Sequence, residues 1–169
     1  MAVLDIVLHP DPILREQCVE VKEITPVIRQ LLDAMAATMY DAPGVGLAAP
    51  QVGSLHRLIV ADIGDDEETG KKAQLYKLVN PVIVHKEGQL DSEEGCLSLP
   101  DIRETIKRAS RVVVEALDEN GRPITVEAEG FLAVCLQHEI DHLNGVLFID
   151  YLSKLKKTLV LAKLRKQIR

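Results

Sequence analysis

Tryptophan is absent from this 169-residue chain, and two phenylalanines and three tyrosines bring aromatics to only 3%. With 47% hydrophobic residues and so few rings, the core must be aliphatic; the length suits one well-packed domain, residues 1–169, and is short for two. No apolar run approaches the roughly 20 residues that span a bilayer, which excludes a helical membrane protein. The opening residues, Met1 to Ile6, have neither a basic region nor a cleavable apolar stretch, so no secretory signal is expected. Cysteines number three, an odd count without disulfide-like spacing, as in a cytoplasmic protein that keeps its thiols reduced. Low-complexity tracts and internal repeats are missing too.

Acidic residues are lacking where basic ones crowd. From Ser153 to Arg169 there are seven basic side chains (Lys154, Lys156, Lys157, Lys163, Arg165, Lys166, Arg169) and no acid. The whole chain has 20 basic and 26 acidic residues, so the remainder carries 13 against 26, a net of −13. Residues 153–169 read as a basic C-terminal helix on an acidic body, with Leu155, Leu159, Ala162 and a residue near Ile168 as its anchoring stripe. Such asymmetry fits either a polyanionic partner or a solubilising face.

What is present in strength is Gln137-His138-Glu139-Ile140-Asp141-His142, inside a segment from Phe131 to Leu143 that reads as a helix. Positions four apart stack on one helical face, so His138 and His142 can grip one metal ion. Glu139, beside them, can work on a water at that ion without being a ligand. A third ligand is required. Downstream of His142 there is no histidine, and Asp150 is the lone carboxylate, which counts against metallopeptidases that draw a ligand from a later element. Upstream, His9, His56 and His85 sit singly near turns or strand ends, and Cys135 shares the helix, where three side chains rarely converge. Cys96 differs: it follows Gly95, which permits close approach of backbone, and precedes Pro100, which stiffens the exit. Two histidines and a thiolate leave a fourth position open, as catalytic sites do.

Around this motif the pattern is mixed. Thr25-Pro26 reads as an N-cap and first helical position for a helix over 26–41, with Val27, Ile28, Leu31, Leu32, Met35 and Met39 on its apolar stripe. Gly44-Val45-Gly46 is no phosphate loop, since neither a Lys-Ser/Thr pair nor a preceding apolar strand accompanies it. Residues 57–62 and 75–85 read as strands, the second interrupted at Asn80-Pro81, with a charged loop over 64–74 between them. Residues 111–117 and 123–128 read as a hairpin around Asp118-Glu119-Asn120-Gly121. The metal-motif helix is apolar nearly all round and is expected to be buried, with Gly145 past its end as a left-handed cap. Helices and strands that mix without alternating give an α+β class.

Three segments in order then carry a resemblance: Gly44-Val45-Gly46-Leu47-Ala48-Ala49-Pro50-Gln51, Glu94-Gly95-Cys96-Leu97-Ser98 and Gln137-His138-Glu139-Ile140-Asp141-His142. Together they resemble the motifs of the peptide deformylases, enzymes that remove the formyl group from the N-terminal formylmethionine of nascent bacterial proteins. The resemblance spans essentially the whole chain. It implies mixed, largely antiparallel sheets around a central metal-binding helix, with a C-terminal helix. It implies a metal centre of Cys96, His138 and His142, Glu139 as general base, and the Leu97 amide and Gln51 side chain as donors to the formyl oxygen. It also implies a methionine slot walled by Val45, Leu97, Phe131, Val134 and Cys135. Gly44 and Gly46 would let the substrate backbone lie close, and Arg103 would stand near the peptide's outer end. Arg103 pairing with Glu104 or Asp101 is the plainer alternative. In that family the working ion is commonly ferrous iron, with zinc, nickel or cobalt able to replace it; on ligand grounds zinc fits equally. The same resemblance implies that the C-terminal helix docks on the ribosome, whose RNA is the polyanion. A zinc endopeptidase and a non-catalytic ribosome-binding protein are the rival readings.

Overall fold

Seven strands and three α-helices make up the computed structural model, which describes residues 2–167. The first helix, α1 (Pro26–Asp41), begins as its sequence dictates: the Thr25 hydroxyl accepts from the Ile28 amide, and Pro26 takes a position whose N–H would lack a helical partner. Its buried face comprises Ile28, Leu32, Met35, Ala36, Thr38 and Met39. Val27, expected on that stripe, is 70% exposed; it lies in the first turn, off the line that Ile28, Leu32 and Met35 follow into the core.

The strands are β1 (Gly46–Ala48), β2 (Leu58–Ala61), β3 (Tyr76–Glu87), β4 (Leu90–Cys96), β5 (Leu99–Arg108), β6 (Arg111–Leu117) and β7 (Pro123–Glu129). Five of them form an antiparallel sheet in the order β1-β2-β3-β6-β7, and β4 and β5 form a two-stranded sheet. Asn80-Pro81 does not end β3. The strand runs through it with a register shift against β6 between Val79 and Val82, and Asn80 takes a positive φ of 53°. The Asn80 side chain turns this irregularity into a link, accepting from the Val21 amide and donating to the Val21 carbonyl, both at 2.8 Å.

Strand alternation decides which helix covers which face. Leu58 and Val60 of β2 pack with α1, while Ile59 and Ala61 pack with the second helix, α2 (Gly130–Leu143). The five-stranded sheet is therefore sandwiched, α1 on one face and α2 on the other. Eleven of the 14 residues of α2 are buried, as its all-round apolar sequence requires, but Phe131 in its first turn is 51% exposed. The helix stops at Asn144, and Gly145 follows with φ 72°; a Cβ there would collide with the Arg15 carbonyl.

A third apolar cluster joins β5 to the last helix, α3 (Lys154–Gln167), through Leu99, Ile102, Ile106, Phe148, Ile149, Val160 and Leu164. The anchoring stripe of α3 differs from the expected one. Val160 and Leu164 are buried, whereas Leu155 and Leu159 are 70% and 61% exposed. Ile168 and Arg169 lie outside the described residues. Among the described residues, no helix is long and apolar enough to cross a membrane.

Candidate metal centre

The β4–β5 hairpin brings Cys96 to the helix that carries His138 and His142. Cys96 ends β4 and pairs with Leu99, leaving Leu97 and Ser98 as a two-residue turn. Along β4, Ser92, Glu94 and Cys96 share the inward face, so Glu94 comes with the cysteine. On α2, His138 and His142 stand one turn apart, their rings 5.0 Å between centroids. The Cys96 Sγ and one ring nitrogen of each histidine all lie within 4.8 Å of one another, with Sγ 3.4 Å from His142 Nε2. Phe148 stacks on His138 with 5.9 Å between ring centroids.

The orientation of His138 is set by an ion-pair chain. Its Nδ1 lies 2.9 Å from Glu94 Oε1, which leaves Nε2 to serve as the ligand atom. Glu94 is gripped at both oxygens by Arg108, from Nε and from NH2, each 2.8 Å. Arg108 NH1 continues to Asp141 at 2.7 Å, and the Tyr151 hydroxyl donates to the same Asp141 oxygen at 2.8 Å. Burial alone would raise the Glu94 pKa, but the hydrogen bonds from Arg108 and then His138 outweigh it and hold the group at about 2. Glu94 is thus a fixed acceptor at any ordinary pH. Burial also dominates at His142, with the neighbouring His138 adding to it; the pKa falls well below normal and the ring stays neutral, the form that ligates. At His138 burial acts in the same direction but is overcome by hydrogen bonds to Cys96 and Glu94. Acceptors that favour a proton there favour a cation equally. A sulfur and two imidazoles, converging and backed by an anionic partner, fit a divalent metal ion of the zinc or ferrous kind.

Glu139 lies one residue from His138 and turns toward β1. A Cβ on Gly46 would sit 2.5 Å from Glu139 Oε2 and 2.9 Å from the Cys135 Sγ, so only glycine allows this approach. Glu139 Oε1 is buried without a hydrogen-bond partner. Burial, with Glu94 nearby, lifts its pKa to about 7 against the opposing pull of His138 and Arg108. A carboxyl poised near neutrality in a cleft can take up and release a proton.

These groups open into a cavity of about 610 Å³. Gly44, Val45, Gly46, Gln51, Leu97, Arg103, Phe131, Val134 and Cys135, all named from the sequence, line it together with Cys96, His138 and Glu139. Burial raises the Cys135 thiol pKa well above normal, which makes this cysteine an inert wall. Arg103 pairs with neither neighbour considered from the sequence; its Nε reaches Glu93 at 3.1 Å across the hairpin, in solvent. His9, His56 and His85 stand apart from the cluster, and His85 pairs with Glu87. The N-terminal segment straps the turns at Gln51 and Ser98 together: the Val7 amide donates to the Gln51 carbonyl at 2.7 Å and the His9 amide to the Ser98 carbonyl at 2.8 Å.

The sequence alone assigns no role to Glu94, Arg108 or Ser98. Period-two placement of Glu94 with Cys96 is an available signal, since an acid on the face of a ligand must be paired when buried. Ser98 and Arg108 carry no comparable signal.

A family model described as polypeptide deformylase matches residues 3–158. The chain belongs to the peptide deformylase family. A peptide deformylase from Alkalilimnicola ehrlichii is 50% identical over 169 residues, covering 100% of this chain and 93% of that protein. The crystal structure of a peptide deformylase from Legionella pneumophila is 46% identical with a TM-score of 0.90, over 99% of this chain and 96% of the other. That of the Ehrlichia chaffeensis peptide deformylase in complex with actinonin is 42% identical with a TM-score of 0.94, over 100% and 99%. The protein is accordingly an enzyme of the peptide deformylase type.

Proposed function

We propose that the enzyme hydrolyses the formyl group from the N-terminal formylmethionine of nascent polypeptides, with Cys96, His138 and His142 holding one divalent metal ion. One observation carries this reading: Cys96, His138 and His142 converge within 4.8 Å, and Cys96, His138 and Glu139, whose Oε1 has no partner, line the same 610 Å³ cleft. When bound, the ion supplies Lewis acidity at the cleft; ferrous iron is the family's usual choice and zinc, nickel or cobalt suit the same donors. Glu139 takes a proton from the attacking water and returns it to the departing amine, so that water and formamide become formate and a free methionyl N-terminus. Charge developing on the formyl oxygen meets the Leu97 amide and the Gln51 carboxamide, donors in place before reaction.

Substrate binding follows from the edges of the sheets. Among the described residues β1 pairs only with β2, so its other edge, beside Gly44 and Gly46, is open to an extended peptide added as a strand. The methionine side chain would enter between Val45, Leu97, Val134 and Cys135, with Phe131 at the mouth. Arg103, free of deep packing, would meet the outer peptide. Actinonin bound to the Ehrlichia relative supports a ligand-accepting cleft here, and we expect it to compete with formylated peptide.

We read the chain as one cytoplasmic domain that docks on ribosomes through the basic face of α3, where exposed Leu155 and Leu159 lie among Lys154, Lys156 and Lys163. Phosphate contacts would make that docking fall steeply with salt. The test of the catalytic reading is anaerobic purification with metal analysis, followed by hydrolysis of formyl-Met-Ala against Met-Ala and an internal-bond peptide. One metal per chain with release of formate alone supports it; cleavage of the internal bond would make the enzyme an endopeptidase instead.

A further inference from the structure

We propose that Ser98 is a positioning residue for the reaction, its buried hydroxyl aiming the Gln51 carboxamide so that one amide proton is presented to the cleft beside Cys96. This rests on the reading of Gln51 as a donor to the formyl oxygen. Gln51 is 2% exposed and Ser98 fully buried, so every polar atom of the pair must be satisfied by protein or substrate. The Ala48 amide donates to Gln51 Oε1 at 3.0 Å, which fixes the end of the carboxamide that is oxygen. Nε2 then lies 3.2 Å from Ser98 Oγ and 3.5 Å from Cys96 Sγ.

An amide nitrogen carries two protons in one plane. With one spent on Ser98 Oγ, the other has a single direction left, toward the sulfur side of the cleft, where the formyl oxygen would sit. Removing the hydroxyl leaves the Ala48 amide as the carboxamide's one remaining short hydrogen bond, so the nitrogen end can swing about the last torsion, which is soft. The backbones on both sides are held without it, because the Val7 and His9 amides clamp the Gln51 and Ser98 carbonyls. Ser98 also follows Leu97 directly in the β4–β5 turn, so the residue that orients one donor neighbours the amide that supplies the other. Its hydroxyl therefore sets orientation, separately from the fold of the turn.

The experiment is a double-mutant cycle on the metal-loaded enzyme with a formyl-Met peptide: wild type, Ser98→Ala, Gln51→Ala and the pair, each with its metal content measured. Ser98→Ala should lower kcat about tenfold with KM changed less than about twofold, since loss of orientation acts mainly in the transition state. Metal content should be unchanged, and the double variant should match Gln51→Ala, because the two residues act as one device. Independently of activity, the Gln51 amide proton that meets Ser98 Oγ should be protected from solvent exchange in the wild type, and in Ser98→Ala it should shift and exchange faster. Additive losses in the double variant, loss of metal in Ser98→Ala, or unchanged Gln51 amide signals would each overturn the proposal. A Gln51→Ala enzyme with wild-type kcat would instead remove the donor reading itself, and this proposal with it.

Discussion

Helices α2 and α3 are both 14 residues long, yet 11 residues of α2 are buried and only Val160 and Leu164 of α3. In α2 every polar group inside the protein must find a partner, and most do: Gln137 bonds the Ala109 backbone in both directions, and His138 has Glu94. The exceptions, Glu139 Oε1 and His142 Nδ1, lie at the cleft and beside the ligand cluster. In α3 the charges lie at the surface, and the contacts that two of them make, Lys157 with Asp150 and Lys163 with the Asp101 carbonyl, are weak and screened by salt. Buried polarity is costly enough that its presence marks chemistry, whereas exposed polarity acts only when a partner arrives.

The largest effect that would sharpen this contrast belongs to Glu139. Glu139→Ala should lose about 10²–10⁴ in kcat while keeping its metal; a variant that loses metal as well would place the carboxylate among the ligands. Next comes Arg108→Ala, which strands the buried Glu94 and should cost about 3–5 kcal/mol in denaturant unfolding. Lys156→Ala on α3 should stay within about 0.5 kcal/mol by the same assay. If the two variants were equally stable, the contrast between the helices would collapse.

Opposite pH behaviour is expected of the two buried acids in metal-free protein. Glu139 has a folded pKa raised from 4.5 to about 7, so it binds its proton more tightly when folded, and stability should fall as pH rises through that interval. Glu94 has a folded pKa lowered to about 2, so its contribution is present above 4.5 and is lost as pH falls toward 2. Stability-against-pH curves of Glu139→Gln and Glu94→Gln should each lose one of these slopes. Within α3, Leu164→Ala should cost about 2–5 kcal/mol and Leu159→Ala under about 0.5 kcal/mol, which tests the buried face directly. The smallest effect on catalysis should follow Lys156→Glu with Lys166→Glu: hydrolysis of free formyl-peptide unchanged, co-sedimentation with ribosomes reduced at low salt. Charge reversal is the right tool, because deleting α3 would uncover Ile102, Ile106 and Phe148.

Much of this is legible in the sequence because local chemistry and tertiary packing agree there. The Thr25 cap, the β6–β7 hairpin around Asp118–Gly121 and the histidine pair on α2 each declare themselves within a few residues. The β4–β5 hairpin does not, because its alternation is hidden: the inward face carries Ser92, Glu94 and Arg108 as well as Ile102 and Ile106, so no hydrophobic period emerges. The anchoring stripe of α3 is ambiguous for another reason. Leu159, Val160, Leu161 and Ala162 are consecutive and apolar, so more than one face could pack, and the decision belongs to Leu99 and Ile102 of β5. Arg108 cannot be found from sequence, since its partners lie 14 and 33 residues away.

The clamp formed by the Val7 and His9 amides ties the beginning of the chain to turns near residues 51 and 98. In chain order Gln51 is made well before Ser98, so the Val7 bond can close first and the His9 bond only once the Leu97–Ser98 turn has been made. Main-chain donors hold the strap, so side-chain substitution at either position leaves the bonds intact. Their exchange with deuterium offers a clock for the site. If both amides exchange at one rate, the Gln51 and Ser98 turns open together as one unit; if His9 exchanges first, the hairpin detaches while the Gln51 turn stays closed.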